Sequence, residues 1–219
     1  NGFFDPIAKN LGVELFGKSI VFCVSQKHAA RVTDILNRLA FDRWPDQYGE
    51  SDFAMQVSSQ VQSAQQMTIN FANNRLGGQS RKPEGYETCK TRVVVTVGMM
   101  TTGYDCQDIL NIALMRPVFS PSDFVQIKGR GTRRHLFEYH DYEADKTVSI
   151  SKEAFKFFDF FATCEYFESE FPYDEKIKLP QVRKIESESS EGSANDTGSS
   201  LASGTEYVDD TGNRVFRGP

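Results

Sequence analysis

The chain has 219 residues, 39% of them apolar, and a formal net charge of -5 at pH 7. This length allows one full α/β domain with an appendage, and the composition is that of a globular protein rather than a disordered one. No apolar run approaches the roughly 20 residues that a membrane-spanning helix needs. We therefore expect a cytoplasmic protein with no membrane partner.

Residues 1–18 have neither an initiator Met nor a signal-peptide pattern, and we expect them to be a lead-in from a missing preceding domain. Strands and helices then alternate along residues 19–180. The patterns predict strands at 19–25, 53–58, 92–97, 109–115 and 155–160, and helices at 26–40, 63–73, from Ser120 or Ser122 to about Lys128, and at 162–171. Such alternation predicts an α/β fold with a RecA-like parallel β-sheet and helices on both faces.

The end of the chain carries the negative charge. Residues 186–219 contain seven acidic and two basic side chains, so residues 1–185 are formally neutral. The acidity thus says little about the partners of the folded part. Residues 181–205, rich in Ser, Gly and Glu, predict a flexible acidic linker, and 206–219 predict a short hairpin or the start of a next region.

Neither the cysteines nor the histidines predict a metal site. The four cysteines are widely spaced and without a C-x-x-C pair, which indicates reduced thiols in or near the core. His135 and His140 flank a polar stretch and are expected in a solvent-exposed loop.

Residues 12–19 read GVELFGKS and match the phosphate-loop pattern G-x-x-x-x-G-K-[ST]. A phosphate loop must be followed by a helix, whose free N–H groups face the phosphates. Here a predicted strand follows Ser19. We therefore interpret the match as a decoy, and a complete small ATPase built on it would require a helix after Ser19.

Residues 126–134 read QIKGRGTRR and contain the pattern Q-x-x-G-R-x-x-R, which resembles motif VI of superfamily 2 helicases. Arg130 and Arg133 lie three apart, so both can point the same way from a helix end. A planar, permanently charged guanidinium suits the charge on a transferred phosphoryl group, and the resemblance implies a catalytic role for both, with Gln126 and Gly129 beside them. The alternative is a solvated basic helix end.

Residues 95–105 read VTVGMMTTGYD and resemble motif V of the same helicases. The resemblance implies DNA contacts for Thr101 and Thr102 and a role at the ATP site for Gly103 and Asp105, whereas the alternative is an ordinary polar loop. The strand end around Val24, Ser25 and His28 resembles motif IV and implies further DNA contacts. We expect all three motifs at the carboxyl ends of successive strands, where ligands of α/β sheets gather.

A finer resemblance is to the R subunits of type I restriction enzymes. It rests on residues 101–109 (TTGYDCQDI), 126–134 and 157–167 (FFDFFATCEYF), and covers about residues 15–180. It implies the second, C-terminal motor domain of an ATP-dependent DNA translocase, with ATP and Mg²⁺ held mainly by a missing first motor domain. The implied partners are double-stranded DNA, the first motor domain and nuclease domain of the same polypeptide, and the modification and specificity subunits.

The resemblance leaves other functions open. The chain could be the second domain of another superfamily 2 DNA repair or RNA helicase, or a non-catalytic nucleic-acid-binding module. As one half of an ATP site, the isolated chain is expected to be inactive. The acids and Lys at 174–176 are interpreted as solvated surface rather than as a nuclease centre.

Overall fold

The computed structural model describes residues 3–59, 63–80, 85–98, 105–170, 206–208 and 214–216. The chain divides into two compact units, residues 1–175 and 176–219. The elements of the first unit are, in chain order, α1 (Pro6–Asn10), β1 (Ser19–Cys23), α2 (Gln26–Arg43), α3 (Pro45–Tyr48), β2 (Ala54–Gln56), α4 (Ala64–Ala72), β3 (Gln79–Ser80), β4 (Thr88–Cys89), β5 (Val93–Thr96), β6 (Asn111–Met115), α5 (Pro121–Gly131), β7 (Leu136–Asp141), β8 (Lys146–Ser151), β9 (Lys156–Asp159) and α6 (Thr163–Glu170).

Five strands form one sheet in the order β2-β5-β1-β6-β9, and every pair in it is parallel. Ser19, the first residue of β1, pairs with Val93 on one side and with Asn111 on the other. All five strands therefore begin at one edge of the sheet, here called the amino edge. They end at the opposite edge, here called the carboxyl edge.

Alternate residues of β1 face opposite sides of the sheet, and both sides are buried. Ile20 and Phe22 join a core with apolar side chains of α4, α5 and α6. Val21 and Cys23 pack on the other face with side chains of α2. The fold class predicted from the sequence, a RecA-like parallel sheet with helices on both faces, is confirmed.

The face under α2 is only partly covered. Beside the helix lies an open apolar groove of about 320 Å³, whose lining includes Ile35, Met115 and Phe158. The side chain of Phe160, at the end of this groove, is exposed. Helical cover is therefore denser on the α4–α6 face than on this one.

An antiparallel hairpin of β7 and β8 lies between α5 and β9, where the sequence analysis placed no strands. His140 is a residue of β7, and His135 directly precedes this strand, with its ring 4.6 Å from that of Phe137. The prediction of a solvent-exposed loop was wrong for His140, which lies in a strand, whereas His135 lies in the loop before it and is half-buried. The reason for the error is a two-residue alternation of apolar side chains that pack against α1: Phe137, Tyr139 and Ile150.

Helix α1 lies within the predicted lead-in and packs into the first unit. The Asp5 carboxylate caps the helix, accepting a hydrogen bond from Ile7 N at 3.1 Å. It also pairs with the fully buried guanidinium of Arg92 at 3.2 Å and accepts from the Tyr86 hydroxyl at 2.9 Å. This ion pair fixes the N-terminal segment beside the start of β5.

In the second unit, β10 (Glu206–Val208) pairs antiparallel with β11 (Arg214–Phe216), at the place where the sequence predicts a hairpin. The predicted linker at 181–205 and the stretch 174–176 lie outside the described residues. All four cysteines are free thiols, with Cys164 half-buried and the other three buried, as predicted.

Candidate functional site

Helix α5 carries the motif VI residues, and its buried face sets their orientation. Ser120 caps the helix, since its Oγ accepts from Asp123 N at 3.4 Å, and Pro121 occupies the first turn. Phe124, Ile127 and Gly131 are the buried residues of α5 and recur at helical spacing. The helix ends at Gly131, three residues beyond the predicted end.

The opposite face of α5 carries three of the motif residues, and Arg133 lies two residues beyond the end of the helix. Gln126, Gly129, Arg130 and Arg133 follow at spacings of three and four, which places them on the same side of a helix. Thr132, which caps α5, has helical backbone angles, so the turn continues to Arg133. Gln126 and Arg133 are exposed, and Gly129 and Arg130 are half-buried. These four residues form what we call the arginine stripe.

Gly129 leaves open space within the arginine stripe. A Cβ built on Gly129 would have no atom within 4 Å, whereas one on Gly131 would lie 2.1 Å from the Phe155 ring. Gly131 is therefore required by packing inside this domain, and Gly129 is not. Gln126, at the start of the stripe, donates to Ser122 Oγ within its own helix, at 3.3 Å.

The arginines lie at the amino edge of the sheet. Phe155, which contacts Gly131, directly precedes β9, and Lys156 of β9 pairs with Asn111 at the start of β6. Helix α5 starts at the carboxyl edge and returns across the sheet. The expectation that all three motifs gather at the carboxyl edge is therefore wrong for Arg130 and Arg133.

Asp105 joins the arginine stripe from a distant part of the sequence. Its Oδ1 lies 3.7 Å from Arg133 Nε, and both side chains are about half exposed. Asp105 stands six residues before β6, so this member of motif V also lies at the amino edge rather than the carboxyl edge. Thr101, Thr102 and Gly103 lie outside the described residues.

Lys18 and Asp108 anchor the segment that carries Asp105. Lys18 Nζ lies 2.9 Å from Asp108 Oδ2 and donates to the Phe71 carbonyl, and Cys106 Sγ donates to Asp108 Oδ1 at 2.9 Å. Burial alone would raise the pKa of Asp108, but the Lys18 ammonium and the Cys106 thiol hold it below its usual value. Sequence reasoning missed this pair, although the parallel pairing of β1 with β6 brings the residues before both strands together.

The apparent phosphate loop at 12–19 has structural functions. Ser19 begins β1, which confirms the prediction that a strand follows, and the Lys18 side chain is only 1% exposed. A Cβ on Gly17 would lie 2.8 Å from Leu110 Cδ1, so this glycine is needed for close packing. The segment therefore lacks the loop-to-helix geometry that holds phosphate.

The motif IV residues lie at the carboxyl edge and cap α2. Ser25 Oγ accepts from His28 N at 3.2 Å, and Val24 N donates to His28 Nδ1 at 3.4 Å. The Val24 side chain is exposed. The structure thus separates these residues from the arginine stripe by the length of the strands, and their contact with DNA stays a prediction.

The described ranges contain neither a membrane-spanning helix nor a cluster of metal ligands. No helix there is long and apolar enough to cross a membrane. No cluster of three or more His, Cys, Asp or Glu side chains there could bind a metal ion.

No known family profile matches the chain. A curated relative does: the endonuclease subunit of the type I restriction enzyme EcoKI from Escherichia coli (strain K12), 31% identical over 146 residues. The chain is similar to the endonuclease subunit of a type I restriction enzyme. The resemblance stated from the motifs is thereby confirmed. The aligned part is 65% of this chain but only 10% of that subunit, so the chain spans about a tenth of its relative.

Solved structures give partial overlaps. A fragment of an HsdR subunit of a type I restriction enzyme from Vibrio vulnificus YJ016 is 26% identical, with a TM-score of 0.46 over 70% of this chain and 24% of that chain. The C-terminal domain of the DEAD-box protein Dbp5 is 13% identical, with a TM-score of 0.43 over 74% of this chain and 77% of that chain. Because both TM-scores lie below 0.5, we draw nothing further from these structures.

Proposed function

We propose that this chain is the second motor domain of an ATP-driven DNA translocase of a type I restriction system. Its arginine stripe would face an ATP molecule held mainly by a first motor domain. The single observation that carries the proposal is the stripe itself, in which two arginines and a glycine with open space stand together at the end of α5.

The chemistry of this stripe suits a phosphoryl group. In the transition state negative charge spreads over the transferred phosphoryl oxygens, and a positioned guanidinium stabilises it. The open space at Gly129 would let a nucleotide or a second protein surface approach the backbone beside Arg130. Asp105 contacts Arg133 at Nε, at 3.7 Å, which leaves the two terminal nitrogens of its guanidinium to face a phosphoryl group.

Magnesium has no ligand set among the described residues of this chain. Mg²⁺ bound with ATP would neutralise phosphate charge, and we assign its ligands, with the phosphate loop, to the first motor domain. The part of this chain is to supply Arg130 and Arg133 and to hold them in place. Accordingly, the isolated chain should not hydrolyse ATP.

The DNA contacts are proposed for the opposite edge. Ser25 and His28 present the N-terminus of α2, where free N–H groups favour a phosphate. Thr101 and Thr102 would add hydroxyl contacts. Further proposed partners are the nuclease domain and the modification and specificity subunits, in line with the name of the restriction-enzyme relative.

A non-catalytic nucleic-acid-binding module is the competing function, and Arg→Lys substitutions separate the two. In the complete motor, Arg130→Lys and Arg133→Lys should each lower DNA-dependent ATP turnover by roughly 10³-fold or more, because Lys keeps the charge but not the planar fork. Arg38→Lys, on the exposed side of α2, is the matched control and should leave turnover unchanged. Near-normal turnover in both stripe variants would favour the binding module.

A further inference from the structure

Lys152 follows the hairpin strand β8 and connects two segments that are far apart in sequence. Its backbone N donates to the His135 carbonyl at 2.8 Å. Its side chain is largely buried, and Nζ donates to the Gln107 carbonyl at 3.0 Å. One residue thus binds the chain just after the arginine stripe and the chain just before β6.

These two segments lie next to Asp105 and Arg133, the two residues of the exposed ion pair. Gln107 lies two residues after Asp105, and His135 lies two residues after Arg133. The ion pair has an N–O distance of 3.7 Å with about half of each side chain exposed, and such pairs contribute little by themselves. The relative position of Asp105 and Arg133 must therefore come from the backbone on either side, which Lys152 links.

The β7–β8 hairpin places Lys152 between these two segments. Phe137 and Ile150 pack it into the core cluster that includes α1, which fixes the end of β8 at the amino edge. Lys152 and Arg133 both line a surface cavity of about 410 Å³ together with Gly131 and Phe155. The Lys152 side chain thus extends from the end of the hairpin, along one wall of this cavity, to the segment before β6.

We propose that Lys152 is a positioning residue that holds Asp105 and Arg133 in the relative position in which Arg133 can contact the phosphoryl group. The proposal rests on the proposed function of the arginine stripe. Lys152 itself need not touch the nucleotide, because its two hydrogen bonds act on main-chain carbonyls.

A purely stabilising role and a positioning role for Lys152 predict different melting temperatures when its amine is removed. Burial lowers the pKa of Lys152 to about 8, with Asp108 and Cys106 opposing the shift, and the charged groups nearby also include His135 and Lys18. A lysine whose pKa falls on folding costs stability below that pKa, and the cost disappears as the pH rises from about 8 to its unfolded value. Removing this amine should therefore leave the melting temperature unchanged or raise it, since the exposed Gln107 can bind water instead.

The test is Lys152→Met in the complete motor, with Lys146→Met at the exposed start of β8 as the matched control. We expect Lys152→Met to raise amide hydrogen exchange about tenfold in residues 105–108, the scale of one lost charge-assisted hydrogen bond, whereas the backbone bond from residue 152 to His135 is kept. Turnover of ATP should fall about tenfold while the KM for ATP stays within about twofold. Lys146→Met should change none of these, and neither variant should melt lower.

Each departure from this result has its own meaning. Unchanged exchange, or a fall in melting temperature with exchange raised throughout the domain, overturns the positioning role whatever the turnover does. Raised local exchange with full turnover, in a motor that Arg133→Lys disables, shows that the restraint is irrelevant to catalysis and also overturns it. If Arg133→Lys itself leaves turnover intact, the proposed function fails instead.

Discussion

Lys18 completes the match to the phosphate-loop pattern, but its side chain forms a buried ion pair with Asp108. Lys18→Met should lower the free energy of unfolding by about 3–5 kcal/mol, because it leaves the Asp108 carboxylate buried without its cation. Chemical denaturation of the chain measures this. The double variant Lys18→Met/Asp108→Leu is the control and should recover most of the loss. A single variant as stable as the parent would contradict the structural role.

The same pair predicts a dependence on acid. The folded-state pKa of Asp108 lies below its usual value near 3.8, so its stabilisation is present at neutral pH and is lost as the pH falls below about 4. Denaturation curves between pH 3 and 7 should therefore show the parent chain losing stability relative to the double variant as the pH falls below about 4. Parallel curves would mean that Asp108 does not titrate in this range.

At the scale of elements, the two glycines of α5 provide a matched pair. Gly131→Ala should cost about 1–3 kcal/mol of unfolding free energy, because its Cβ would overlap the Phe155 ring. Gly129→Ala should gain up to about 1 kcal/mol, because alanine favours a helix and meets nothing. Thermal unfolding of both variants measures the difference. In the complete motor, Gly129→Ala should nonetheless lower turnover, and full activity there would argue against a close approach at this site.

The elements that could be predicted from the sequence are those whose spacing of apolar residues follows from burial in the core of this chain. The continuous apolar runs of β1 and β5 and the helical spacing in α2 were sufficient, because the same residues fill the core. The β7–β8 hairpin was missed because its two-residue alternation lies within polar residues and was interpreted as a loop. The pairing of Asp105 with Arg133 was unpredictable, since it depends on the path of α5 back across the sheet, which no local pattern encodes.

At the scale of the whole molecule, the sheet separates two surfaces. The arginine stripe lies at the amino edge, and the residues proposed to contact DNA, Ser25 and His28, lie at the carboxyl edge. A motor needs such a separation if ATP and DNA are to be bound at different places and coupled through a rigid body. Residues 1–185 are formally neutral, so we expect weak DNA binding by the isolated chain.

We propose that Arg130 and Arg133 stabilise the transferred phosphoryl group rather than the bound ATP. The most direct measurement is the affinity of the complete motor for ADP with aluminium fluoride, a transition-state mimic, compared with its affinity for a non-hydrolysable ATP analogue. Arg133→Lys should weaken the mimic by at least about 100-fold and the ground-state analogue by only a few-fold, because an arginine finger acts on charge that develops in the transition state. Equal affinities of parent and variant for the mimic would contradict the account.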